Sequence, residues 1–538
     1  MQRVIAIGLD GYEESLERRF IEAGELPELA RLRERSARYL LDHGPAQRSG
    51  LAWEHVSTGL SPERAGRWAA VHFDPATYSV WQEGTRLSPF AARLNSRTVV
   101  FDAPYFDLAQ APRVRGVVGW GAHDPGIPHA ARPGVLLLEF KARFGEYPAE
   151  RWIYGVVWAS EERTREMGEA LALAVSRRAQ AARWLLGERL TDWDLALVVV
   201  SEPHSAIEAL WHGVDPAHPL HKMPSAKPAR EGLLAVYRGV DRLVGELAAD
   251  FPDAALVVFS MGGMGANHSD TASMVLLPEL MYRHAFGRPL LRPTDAWADA
   301  AAVPLLGEQQ DWAAAVHTCF PTETPQRVRR SAARPFLAGL EKIVRRFGPR
   351  AESRPEPAEA SYLRRSVGWI PATLYQPHWR SMPAFALPSF YDGRIRINIS
   401  GRESGGLIPV SEYEARCDEI EALLGACRDP ATGGKVVSRV ERVRGRDPLT
   451  LGPTESDMVV VWDGTFCALE HPAMGRVGPV PFRRPGGHTG PFGMAYISNA
   501  GVEAGDKGVR SSFDVVPTLM ELLREPPPEG LSGASLLS

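Results

Sequence analysis

The sequence predicts an α/β fold: a mostly parallel sheet with helices on both faces. Two observations carry this. Several short runs rich in Val and Ile lack the apolar–polar alternation of a half-exposed strand, as strands buried on both faces should. Between the early runs lie amphipathic helical stretches, and strand–helix alternation builds parallel sheets. At 538 residues, 44% hydrophobic and 23% charged, the chain is long enough for one large domain or two to three average ones.

The elements follow in order. Val4–Leu9 is an apolar run with no alternation. Pro27 to Ser36 reads as a helix, with Leu29 and Leu32 on one side and charges on the other. Thr98–Phe101 is the next strand, and Gly168 to Leu186 the next amphipathic helix. Leu195–Val200, a helix over Leu233–Ala249 and the strand Ala255–Phe259 continue the alternation. From about Asp270 to Pro388 the pattern degrades, and Pro349–Ser361 reads as an exposed loop or linker. Strand character returns at Arg394–Ile399, Met458–Trp462 and Met494–Ile497, before a closing helix over Asp514–Leu523. The expected organisation is a first core part over 1–270, a cap or insertion over 271–388, and a second core part over 389–538. The glycines around Gly116–Gly121 match no dinucleotide fingerprint.

Composition excludes several function classes. The formal net charge is −4, with no basic excess that would point to a nucleic acid partner. Four widely spaced cysteines, with no CxxC, predict no disulfide framework and fit a reducing cytoplasm. The opening apolar run is too short for a signal h-region. No stretch approaches the ~18–20 apolar residues of a membrane span. The expected location is cytoplasmic, with no membrane partner.

In an open α/β sheet, ligands bind beyond the carboxyl ends of the strands. Asp10 follows the first strand, in Gly8-Leu9-Asp10-Gly11. Ser201-Glu202-Pro203-His204 follows Val200, with Glu208 four residues on. Ser260-Met261-Gly262-Gly263 follows Phe259, and Gly486-Gly487-His488 precedes Met494–Ile497. Arg48-Ser49-Gly50-Leu51-Ala52-Trp53 lies between the first two strands and leads into Ser57-Thr58-Gly59 and Pro62. His204 and Glu208, at i and i+4, share a face if the segment is helical.

These motifs, with Gly24-Glu25-Leu26-Pro27, Trp211-His212, Gly401-Arg402-Glu403, Asp429-Pro430 and Asp514-Val515-Val516-Pro517-Thr518, carry a resemblance. The chain resembles the type I phosphodiesterase/nucleotide pyrophosphatase branch of the alkaline phosphatase superfamily. The resemblance implies a three-layer alkaline-phosphatase-like core, two metals, usually zinc, and a Thr or Ser nucleophile. Two cations ~4 Å apart neutralise a phosphoester and stabilise its leaving oxygen.

The carry-over is uneven. Asp10 matches the family's first aspartate, Ser49 its nucleophile and His488 its last histidine. A strand-end Asp-x-x-x-His pair falls on His204 and Glu208 in swapped order. The Ser-Asp-His-Gly turn falls on Ser260-Met261-Gly262-Gly263, where both ligands are gone. One divalent metal, zinc by donor type, would be held by His204, Glu208 and His488, an open His₂Glu set. The second would keep only Asp10 and Ser49, unless His268 or Asp270 folds back.

The expected function is a metal-dependent phosphoesterase acting on a small anionic metabolite, by hydrolysis or by altered transfer chemistry. Ser49 would be nucleophile or positioning hydroxyl, and Asp10 second ligand or general base. Arg48 and Trp53 would bind substrate. The alternative is an inactive scaffold that binds an anionic ligand or a protein partner. Blander readings stand beside these. Asp10 could cap a helix, Glu202 could be a ligand or could orient His204, and Arg394, Arg396 and Arg402 could reach the site. The run His212, His218 and His221 fits no usual zinc spacing.

Overall fold

The computed structural model describes residues 2–122, 128–297, 303–307, 310–321, 364–443 and 445–538. The expected loop Pro349–Ser361 lies outside the described residues. Among them, nine strands form one mixed sheet. Across it run Gly505–Ser511, Ala37–Asp42, Gly493–Ser498, Ala255–Ser260, Val4–Leu9, Leu195–Val200, Thr98–Phe101, Arg115–Val118 and Ala130–Arg132. Gly493–Ser498 and Ala130–Arg132 run antiparallel to their neighbours, and the other pairings are parallel.

Period-2 sorting of side chains gives the sheet its two covered faces. Ile5, Ile7 and Leu9 enter a core shared with the helices Glu161–Trp184 and Ala226–Asp250. Val4 and Ala6 enter the opposite core, beneath Val515–Leu522. The predicted strands and helices of this unit are present, with ends shifted by a few residues.

Register aligns the carboxyl ends. Leu9 pairs with Val200 and Gly8 with Phe259. Asp10, the helix Glu202–Leu210 and the Met261 turn therefore emerge side by side. Gly11 has φ +55°, and a Cβ there would meet the backbone of His204 at 2.6 Å. Only a residue without a side chain lets these two strand ends approach so closely.

A second layer departs from the expected boundaries. Ala384–Leu387, Gly393–Ile397, Met458–Trp462 and Val437–Arg442 form a four-stranded antiparallel sheet. Residue 388 falls inside the Ala384–Leu387/Gly393–Ile397 hairpin, so that expected boundary divides paired strands. The sheet's hydrophobic core draws on Val71–Tyr78 and on residues from Ala272 to Val480. Met458–Trp462 belongs to this layer rather than to the main sheet. It alternates buried and half-buried residues, as an antiparallel strand with one covered face does.

Candidate functional site

A cavity of about 550 Å³ opens at the carboxyl ends of the central strands. Its floor carries Asp10, Gly11, His204 and the Ser260–Gly262 turn. Its walls are largely aromatic: Trp53, Tyr105, Tyr154, Trp369, Phe390 and Tyr391. Arg483, Arg484 and His488 close one side.

The helix Glu202–Leu210 places His204 and Glu208 one turn apart, with Pro203 in its first turn where no amide partner is needed. His204 Nε2 lies 3.1 Å from Glu208 Oε1 and 3.1 Å from His488 Nε2. The three ligand atoms lie within 4.8 Å of one another. A tetrahedral zinc with bonds of 2.0–2.1 Å has ligand–ligand edges of about 3.3 Å, close to the two separations of 3.1 Å made by His204 Nε2. His204 Nδ1 faces Asp10 Oδ2 at 3.1 Å. A carboxylate behind a ligating histidine fixes the tautomer and turns the other nitrogen toward the metal.

In the tautomer that carries its proton on Nδ1, toward Asp10, His204 Nε2 would offer a lone pair. It then faces a carboxylate oxygen and a second imidazole nitrogen. Burial, His204 and Arg484 together push the His488 pKa well below its ordinary value, so His488 is neutral. Three acceptor-rich groups thus converge where a cation would sit. Tyr391 packs its ring edge-on against His488, with centroids 4.3 Å apart.

A guanidinium also reaches this cluster. Arg484 Nη1 donates to Glu208 Oε1. Its Nε and Nη2 form a bidentate pair with Asp270 at 2.6 and 2.8 Å. Arg483 donates to the same aspartate at 2.9 Å. Arg484 is only 4% exposed, and burial pulls its pKa down to about 9, which leaves it charged at neutral pH. Burial raises the Asp270 pKa, against the pull of Arg483.

The expected site residues divide. His204, Glu208 and His488 come together as a group that could hold a metal ion, and Asp10 stands behind His204 rather than within that group. Trp53 lines the cavity beneath Gly8, where a Cβ would meet its ring at 2.3 Å. Ser49 is buried at the end of the turn Gly44–Ser49, and its Oγ accepts the Leu51 N–H at 3.1 Å. Its neighbours Gln47 and Gly50 line the cavity; Ser49 is not among the lining residues described. Arg48 pairs with Glu441 of the second layer, at 2.7 Å, rather than facing the cavity.

Other candidates have structural partners. Glu202 is bound by Arg178 and Tyr147 and stands outside the group formed by His204, Glu208 and His488. Asp270 holds the two arginines instead of folding back toward a metal. His268 is not among the described lining residues of the cavity. His212 bonds Ser225, His218 accepts the Leu220 N–H, and His221 Nδ1 meets the His212 carbonyl. Arg394, Arg396 and Arg402 pair with Asp392, Glu403 and Asp457 inside the second layer.

Sequence reasoning missed Arg483, Arg484, Tyr391 and Gln47. The one available signal was two arginines directly before Pro485-Gly486-Gly487-His488. Gln47 seals the Met261 turn. Its amide donates to the carbonyls of Gly263 and Gly490 at 3.1 and 2.9 Å, and it packs against Gly262.

No family model matches the chain, and no curated protein does. Among solved structures, it is similar to phosphonoacetate hydrolase from Sinorhizobium meliloti 1021 in complex with phosphonoformate. That match has 14% identity and a TM-score of 0.49 over 97% of this chain and 95% of that one. It is also similar to human ectonucleotide pyrophosphatase/phosphodiesterase 5, at 11% identity and a TM-score of 0.45 over 98% and 97%. Among the described residues, no helix is long and apolar enough to cross a membrane.

Proposed function

We propose that the chain is a one-metal, phosphoesterase-like enzyme of the alkaline phosphatase superfamily, acting on a small anionic ester. The observation that carries this is the convergence of His204, Glu208 and His488, with Asp10 behind His204, on the floor of a walled cavity. Three of the motifs that carry the resemblance, around Asp10, Trp53 and His488, lie at this cavity.

A bound divalent metal would supply Lewis-acid polarisation of a phosphoryl-type oxygen. The chain's own residues do the rest. Asp10 holds the His204 Nδ1 proton and so keeps Nε2 facing the cluster. Arg483 and Arg484, both cavity-lining, offer N–H donors to an anionic oxygen. The aromatic walls exclude water from the floor and receive the non-reacting part of the substrate. Ser49, with its oxygen engaged by Leu51, acts as a positioning hydroxyl of the Gly50 turn rather than as the nucleophile.

The test is metal content. Purified protein should hold roughly one zinc per chain, as an open three-ligand catalytic set does. His204→Ala combined with His488→Ala should lose it, together with turnover of nitrophenyl phosphodiesters. Wild-type protein that carries no metal, and gains none on soaking in zinc, manganese or iron, sinks the reading. A second reading is a ligand-binding protein without turnover. The Arg484–Glu208 pair favours it, because a guanidinium already supplies a positive charge at this point.

A further inference from the structure

Glu208 Oε1 faces two partners at once. One is His204 Nε2, on the side where the metal would sit, and the other is Arg484 Nη1. Glu208 is fully buried, so the cation that neutralises it matters more than it would in water. A dication and a guanidinium on one carboxylate oxygen repel each other at short range. The metal and Arg484 therefore oppose each other at this atom.

Arg484 is built to change partner without moving. Its Nε and Nη2 are anchored on Asp270, and that bidentate pair does not involve the Nη1 that touches Glu208. Arg484 lines the cavity, as does Arg483, its companion on Asp270. An oxyanion in the cavity offers Nη1 a replacement for Glu208. The guanidinium is rigid and planar, so Nη1 stays where the Asp270 anchor holds it and the anion takes the place Glu208 leaves.

We propose that Arg484 couples metal binding to substrate binding: it holds Glu208 in the empty site and, kept in place by Asp270, receives the anion of the substrate when metal draws Glu208 away. This rests on the metal reading above. The consequence is reciprocal. An anion tightens metal, and metal tightens the anion by the same factor.

The experiment measures Zn²⁺ affinity of the full chain by competition with a chromophoric chelator, with and without methylphosphonate as the anion. Arg484→Gln should bind Zn²⁺ more tightly than wild type in the absence of anion, by roughly 5- to 150-fold, the usual span of such couplings. Methylphosphonate should tighten Zn²⁺ binding in wild type, and by a smaller factor in Arg484→Gln. If Arg484→Gln fails to fold, Arg484→Lys decides in its place. Lysine keeps a charge for Asp270 but lacks the fork that reaches Glu208, so it too should bind Zn²⁺ more tightly than wild type. Equal or weaker anion-free affinity in the folded variant overturns the coupling. If zinc binding is still lost in His204→Ala, that result leaves the metal reading standing. No Zn²⁺ binding by either wild type or variant overturns the metal reading itself, and the coupling with it.

Discussion

Glu17 is fully buried, accepting the hydroxyl of Tyr496 near the partly exposed Arg33. Burial raises its pKa from the ordinary 4.5 to about 7, against the pull of the hydrogen bond from Tyr496. A carboxyl whose pKa is raised by folding binds its proton more tightly in the native state. Its contribution to stability is therefore complete below pH 4.5 and lost as pH climbs through about 7. Glu17→Gln should match wild type near pH 4.5 and exceed it at pH 8 by up to about 3 kcal/mol, in urea melts run at both values. The cluster of His204, Glu208 and His488 was legible at this scale because the segments carrying it follow a strand or a glycine pair, where an α/β sheet keeps its chemistry. Arg484 was not legible. Its partners Glu208 and Asp270 lie more than two hundred residues away, and such a pairing leaves no local pattern. Ser49 and Arg48 were read from their distance to Trp53, and sequence distance does not say which way a turn points.

The helices Glu161–Trp184 and Ala226–Asp250 cross at a pair of glycines. A Cβ on Gly168 would meet Gly232 Cα at 2.7 Å, and the reverse contact is 2.8 Å. These are backbone atoms, which cannot swing aside. Gly168→Ala gains helix propensity of about 1 kcal/mol but forces the helices apart. We expect net destabilisation of roughly 1–3 kcal/mol, read as a lowered urea midpoint. Arg178, on the first of these helices, is fully buried between Asp102 and Glu202. Glu202 opens the helix that carries His204, so this ion cluster fixes where that helix starts. Arg178→Met should cost about 3–5 kcal/mol by leaving two buried carboxylates unpaired. The helices themselves were readable from periodicity. The antiparallel second sheet was not placed, because a run such as Met458–Trp462 looks the same in either sheet until its partners are known.

Across the whole molecule, the site joins segments far apart in the chain. His204 and Glu208 sit on one helix, and His488 lies on Gly486–Gly490, which pairs with Gly263–Ala266. An ion holding all three would bind the folded chain and not the unfolded one. Zinc at a hundredfold excess over its dissociation constant should stabilise the protein by about 2.7 kcal/mol. Calorimetry should show a raised Tm with zinc for wild type and none for His488→Ala. Gln47 bears on how far this arrangement can change. Its amide bridges the carbonyls of Gly263 and Gly490, and a Cβ placed at Gly262 would meet its side chain at 3.1 Å. A side chain at 262 would have to push that amide aside and cost it both hydrogen bonds. Positions 47 and 262 therefore behave as a latch and its seat: neither can be replaced alone without disturbing the other.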